Sequence, residues 1–239
     1  ILYNMNENKV LYELKSDEKL QIASLTKIMT VITAIEHNDD LSKEVVITKD
    51  MLKGISEYTQ VGFKEGDKPT IKDLLYGSML PSGADAVNAL AVSTSGSVSK
   101  FVELMNEEAK KLKLDHTLFD NPIGMDSDHN YSTASDMAKL LIYSLKNKTF
   151  KEVFTAREYK IECLNKTVKT TLVSYSKSYG LDVSQITGAK SGFTDGAGLC
   201  LASTSTIDDV NYLLITLGAS TKSRSNAVRD SLEIYDYYS

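Results

Sequence analysis

No block of basic residues runs along this 239-residue chain, in which 27 lysines and arginines stand against 32 aspartates and glutamates for a formal charge of −5. A nucleic-acid stripe and a polybasic membrane patch both need clustered cations, so neither partner is implied. No apolar run approaches the roughly 18–20 residues of a membrane span, and no positively charged start leads into a short apolar core as in a signal peptide. The first residue is Ile1 rather than methionine, which reads as a processed or excised fragment whose targeting segments lie elsewhere. The three histidines, His37, His116 and His129, lack ligand spacing, and no glycine loop of the phosphate-binding kind occurs. No metal and no cofactor is therefore expected. Cys163 and Cys200 are far apart and leave both a disulfide and two buried thiols open.

What is present is enough for a sizeable core: 42% of residues are apolar and 25% charged, the profile of a globular chain. "ILYNMNENKVLYELKS" reads as a β-hairpin, and a helix follows from Ala23 to His37. Ile71 to Met79, Ser82 to Val92, Val98 to Leu112 and Ser132 to Leu145 carry apolar residues at three-and-four spacing, the helical period. After Phe150 the pattern shortens to "REYKIECL", "KTVKTTLV", "ITGAKSG", "GLCLAST" and "VNYLLITLG", with "TDGAG" as a hairpin turn and a last helix from Ser225 to Tyr237. The expected class is α+β, with one antiparallel sheet built from N- and C-terminal strands and flanked by helices. A helical subdomain over roughly residues 50–148 is inserted in it. With no repeat or linker in view, residues 1–239 read as a single domain.

Three short elements can carry chemistry. Ser24 and Lys27 are one turn apart on the first helix, where their side chains can meet. Ser-x-x-Lys also occurs at Ser16/Lys19, Ser97/Lys100 and Ser174/Lys177, so spacing alone is weak. The apolar setting of Ile28, Met29, Val31, Ile32 and Ile35 is what singles out Lys27, because a desolvated amine loses its proton more easily and can act as a base for the serine. The alternative is that Ser24 caps the helix and Lys27 reaches solvent. In "MLPSGADAVNALA", Ser82 stands at or just before a helix start, where capping is again the bland reading. In "GAKSGFTDGAGLCLAS", Lys190 and Ser191 sit on a strand and Gly192 admits either a close backbone approach or a bulge.

The order Ser-x-x-Lys, Ser-Gly-x, Lys-Ser-Gly resembles the arrangement of serine penicillin-recognising enzymes. "VLYELKSDEKLQIASLTKIMT", "LFDNPIGMDSDHNYSTASDMAKL" and "GAKSGFTDGAGLCLAS" make the chain similar to low-molecular-mass penicillin-binding proteins, the serine-type D-alanyl-D-alanine carboxypeptidases. This resemblance implies a β-lactamase/transpeptidase-like fold and removal of the terminal D-alanine from peptidoglycan stem peptides through an acyl-enzyme. Its catalytic residues would be Ser24 as nucleophile, Lys27 as base, Ser82 as proton relay and Lys190 as a second cation. Ser191 and Arg224 would hold the substrate carboxylate, Gly192 would admit the substrate, and the Ser24 and Phe193 amides would face the oxyanion. Peptidoglycan ending in D-Ala-D-Ala and β-lactams as covalent inhibitors are the implied partners. Location would be extracytoplasmic, at the cell surface or membrane-associated, with a C-terminal β domain and membrane anchor outside this chain.

The second motif departs from the family pattern, since Ala84 occupies the place of its usual asparagine. Turnover is then expected between near normal and about a thousandfold reduced, and replacement by asparagine should speed it or leave it unchanged. A penicillin-binding or peptidoglycan-binding module with attenuated catalysis is the alternative. A β-lactamase fits less well, because Glu103 with Asn106 and Glu162 with Asn165 have the wrong spacing for its deacylating glutamate.

Overall fold

The strand-forming runs at the two ends of the chain find each other in space. The computed structural model describes residues 1–238. Strands β1 (Leu2–Asn4) and β2 (Lys9–Tyr12) form the N-terminal hairpin. Later come β3 (Glu158–Ile161), β4 (Lys166–Lys169), β5 (Ile186–Thr194), β6 (Gly198–Ile207) and β7 (Val210–Ala219). The main sheet is antiparallel in the order β2-β1-β7-β6-β5, so the first strand pairs with the last and β5 is an outer edge.

Between these strands lie α1 (Thr26–Glu36), α2 (Ile71–Met79), α3 (Ala84–Ser95), α4 (Val98–Lys111), α5 (Ala134–Ser144), α6 (Lys148–Thr155) and α7 (Thr171–Tyr179); α8 (Asn226–Tyr238) closes the chain. The architecture is α+β. Neighbouring residues of β7 face opposite ways, as a period of two requires. Leu213 and Ile215 join the core around α1, whereas Leu214 joins Leu2, Leu201, Val228 and Tyr235 on the face covered by α8. Ile28, Met29, Val31 and Ile32 are fully buried, which makes α1 the axis on which α2 to α5 pack.

Capping follows the expected residues at several starts. Thr70 and Asp73 form a reciprocal capping box on α2, and the Ser97 and Thr133 hydroxyls accept amides at the starts of α4 and α5.

The strand reading after Phe150 needs two corrections. "KTVKTTLV" is not one strand: β4 ends at Lys169 and α7 begins at Thr171. Leu172 and Tyr175, three residues apart on one helix face, pack in the cluster that holds Ile186 and Ala189 of β5, so tertiary burial overrides the local β-branched preference. In addition, β3 and β4 pair only with each other and form a separate two-stranded sheet. Helix α6 is absent from the sequence reading, although Asn147 caps it and Phe150, Val153 and Phe154 give it a buried stripe.

Candidate active site

A short 3-10 turn, Ala23–Leu25, feeds the chain into α1. Ile22 before it and Leu25 at its end are fully buried, and Ala23 has φ 47°. The cap of α1 is Leu25, without a side-chain cap bond, so the Ser24 hydroxyl is not consumed in capping. It lies 2.9 Å from Lys27 Nζ instead. Lys27 is 1% exposed and donates to the carbonyl of Ile123 at 2.6 Å; it does not reach solvent. Burial, and secondly the nearby Lys190, hold its pKa well below the usual lysine range.

Ser82 closes the second side. It has φ 65°, and the cap of α3 is Gly83, again with no side-chain cap bond. Its hydroxyl accepts from Lys190 Nζ at 3.0 Å, and Lys190 also donates to the carbonyl of Ser191 at 2.8 Å. Lys190 is 1% exposed, and burial pushes its pKa down to about 7. Among the described residues, neither amine forms an ion pair with a carboxylate. Two capping serines, the bland reading of both motifs, are thus excluded by where the helices actually start.

Gly192 marks a close approach rather than a bulge. A Cβ there would come within 2.9 Å of the Ser24 amide nitrogen and 3.0 Å of Ala23 Cβ, so only glycine lets β5 lie this near the Ser24 turn. Gly124 meets the same turn from the other side. With φ 89° it presses on the Ala23 carbonyl, which any Cβ would overlap.

Ile123 and Gly124 were missed in the sequence. Their stretch carried family likeness but no derived role. Asn121 folds it into a turn by accepting the amides of Gly124 and Met125 at 2.7 and 2.9 Å, and Thr30 ties it to α1 through the Pro122 carbonyl at 2.8 Å. The Asn-Pro-x-Gly pattern signalled a turn, yet nothing local said what it would touch.

Ser24, Lys27 and Ser82 line one cleft of about 310 Å³ together with Thr59, Ile123 and Phe193. Ser191 is half-buried beside it, its hydroxyl 2.8 Å from Thr171 Oγ1. Arg224 stacks its guanidinium 3.4 Å from the Phe193 ring centre, which brings a cation to the cleft-lining strand without making it part of the lining. Ala84 is fully buried against Ile55, Val87 and Ile123 and does not line the cleft. An asparagine there would enter an apolar cluster, which changes the expectation that it would help. Glu103 and Glu162 lie outside the cleft. Cys163 is exposed, Cys200 buried, and both are free thiols.

The sequence pattern of Peptidase_S11, D-alanyl-D-alanine carboxypeptidase, matches residues 1–221. The chain is 34% identical over 238 residues to D-alanyl-D-alanine carboxypeptidase DacF of Bacillus subtilis, covering 95% of this chain and 58% of the relative. It is 35% identical over 217 residues to the D-alanyl-D-alanine carboxypeptidase of Streptomyces sp. strain K15, covering 83% and 73% respectively. The crystal structure of the Streptomyces K15 DD-transpeptidase superposes with a TM-score of 0.88 at 30% identity, covering 99% of this chain and 94% of that one. Against DacF and the Escherichia coli relative DacC the chain spans only 58% and 56% of their length. With the match extending over nearly all of its residues, this chain belongs to the peptidase S11 family of D-alanyl-D-alanine carboxypeptidases.

Proposed function

We propose that the chain is a serine D,D-carboxypeptidase that removes the terminal D-alanine from peptidoglycan stem peptides and is acylated by β-lactams. The observation that carries this reading is the 2.9 Å contact between Ser24 Oγ and a buried Lys27 amine that has no counter-ion among the described residues. Neutral Lys27 takes the Ser24 proton as Oγ attacks the carbonyl of the penultimate D-alanine. The oxyanion falls to the amides of Ser24 and Phe193, whose backbones the closeness of Gly192 to the Ser24 nitrogen draws together. Ser82, with its oxygen engaged by Lys190, keeps its own proton free for the leaving nitrogen and is reprotonated from Lys27. D-Alanine departs, water attacks the ester, and Ser24 recovers its proton.

Lys190 supplies the positive charge for the substrate's terminal carboxylate, with Ser191 beside it on β5. Arg224, stacked on Phe193, adds a second cation near the same strand. Residues 1–239 act as one catalytic unit, and a peptidoglycan substrate places that unit outside the cytoplasm. Trapping by penicillin, rather than its efficient destruction, is supported by the positions of Glu103 and Glu162 outside the cleft.

The test is mass spectrometry after incubation with a penicillin, followed by D-alanine release from diacetyl-Lys-D-Ala-D-Ala. A stable adduct on Ser24, abolished in Ser24→Ala, together with D-alanine release, is the expected outcome. No adduct on the unaltered chain would sink the proposal, and an adduct without D-alanine release would leave a penicillin-binding module in its place.

A further inference from the structure

Burial of Ala84 leaves the second motif without a polar side chain beyond Ser82, yet that wall of the cleft is not apolar. Thr59 lines it. The Ala84 amide donates to the Thr59 carbonyl at 2.8 Å, so the residue lacking a polar side chain positions one that has it. The rest of the loop is pinned as well. Asp85, fully buried, accepts the amides of Val61, Gly62 and Phe63 at 2.8, 2.7 and 3.0 Å. On the other side of Thr59, the Ile55 carbonyl accepts from the Tyr58 amide at 3.0 Å and from Gln60 Nε2 at 3.1 Å. Ile55 itself packs on Ala84 and Ile123. The hydroxyl of Thr59, in contrast, is exposed and has no hydrogen-bond partner among the described residues.

Substrate geometry supplies that partner. An extended peptide that lies along a sheet's outer strand uses one edge of its backbone for the strand and turns the other edge away. Strand β5 is such an outer strand, and its Phe193 and Thr194 line the same cleft as Glu57, Tyr58 and Thr59, whose loop is tied to the start of α3 rather than to the sheet. A stem peptide on β5 therefore presents its second row of amide groups to Thr59.

We infer that Thr59 is a substrate-binding residue whose hydroxyl bonds the outward backbone amide of the stem peptide, a contact that Ala84 cannot make. This inference rests on the carboxypeptidase reading. Rigid placement is what makes one hydroxyl useful, since no loop has to be ordered when the substrate arrives.

Thr59→Val keeps the shape and removes the hydroxyl; Thr59→Ser keeps the hydroxyl. Both are compared with the unaltered chain in penicillin acylation of Ser24 and in kcat/KM for diacetyl-Lys-D-Ala-D-Ala, with thermal unfolding to confirm equal folding. Thr59→Val should lose about tenfold in both rates, the scale of one neutral hydrogen bond, while Thr59→Ser stays within about threefold of the unaltered chain. Equal loss in both variants, or no loss in Thr59→Val, overturns the role of the hydroxyl while the unaltered chain still turns over. An unaltered chain that penicillin never acylates overturns the carboxypeptidase reading itself, and this inference with it.

Discussion

At position 27 an ammonium group gives up its water shell without gaining a carboxylate from the described residues, and the free energy is lowered by losing the proton instead. Lys190 suffers the same burial, and its charge adds to the pressure on Lys27. In the proposed mechanism Lys27 is the member of the pair that is neutral, and Lys190 the one that keeps its proton. On the carboxypeptidase reading, the two amines need opposite charge states, one neutral to accept the Ser24 proton and one positive to meet a carboxylate. A bell-shaped profile of kcat/KM follows. Its acid limb marks protonation of Lys27 and its alkaline limb marks loss of charge from Lys190, near about 7 in the free enzyme. Bound substrate brings a carboxylate to Lys190 and raises its pKa, so the alkaline limb of kcat should lie at higher pH than that of kcat/KM. Steady-state kinetics from pH 5 to about 10 check this; coincident alkaline limbs would remove Lys190 from carboxylate binding.

The elements meet at Ser24 through backbone contacts, which is why glycines occupy the meeting points. Strand β5 reaches the Ser24 turn through Gly192, and the turn after Asn121 reaches it through Gly124. The first turn of α3 contributes differently. Its Ala84 is a packing residue under the cleft floor, with Ile55, Val87 and Ile123 around it. Ala84→Asn would put an amide where no polar partner waits, at a cost of about 1–3 kcal/mol, and would push on the loop that carries Thr59. The variant should unfold earlier in urea and acylate no faster than the unaltered chain. A faster Ala84→Asn enzyme would mean that the asparagine finds the cleft after all.

Across the whole molecule, the two buried amines are a stability cost that varies with pH. In the unfolded chain both lysines titrate near the ordinary value of about 10.5. In the folded chain Lys190 titrates near about 7, and Lys27 is lowered too. Between about pH 7 and 10 the unfolded state therefore binds more protons, and stability rises with pH across that window. Each such group contributes at most about 1.4 kcal/mol per pH unit. Chemical unfolding at pH 7 and pH 9 should give a gain of about 2 kcal/mol from Lys190 alone, with Lys27 adding to it, and a smaller gain in Lys190→Met because one of the two groups is gone. A flat or falling stability across that range would mean that the buried amines keep their protons.

Local pattern was enough for much of the architecture. The hairpin at "ILYNMNENKVLYELKS", the periodic helices α2 and α4 and the late strands β5 to β7 were legible because their apolar residues recur at the period of the element they form. The motifs at Ser24, Ser82 and Lys190 were legible as residue types in a given order. Sequence alone left open whether either serine was a cap, since a hydroxyl at a helix start suits both roles. Tertiary structure decided it by placing the caps at Leu25 and Gly83 and by burying Lys27 and Lys190 without a counter-ion among the described residues. It alone brought the Ile123 carbonyl to Lys27, sealed Ala84 under Ile55, and tied Thr59 beside it. Periodicity is a property of neighbours along the chain, whereas a lowered pKa, a buried alanine and a tethered hydroxyl depend on residues that only folding makes adjacent.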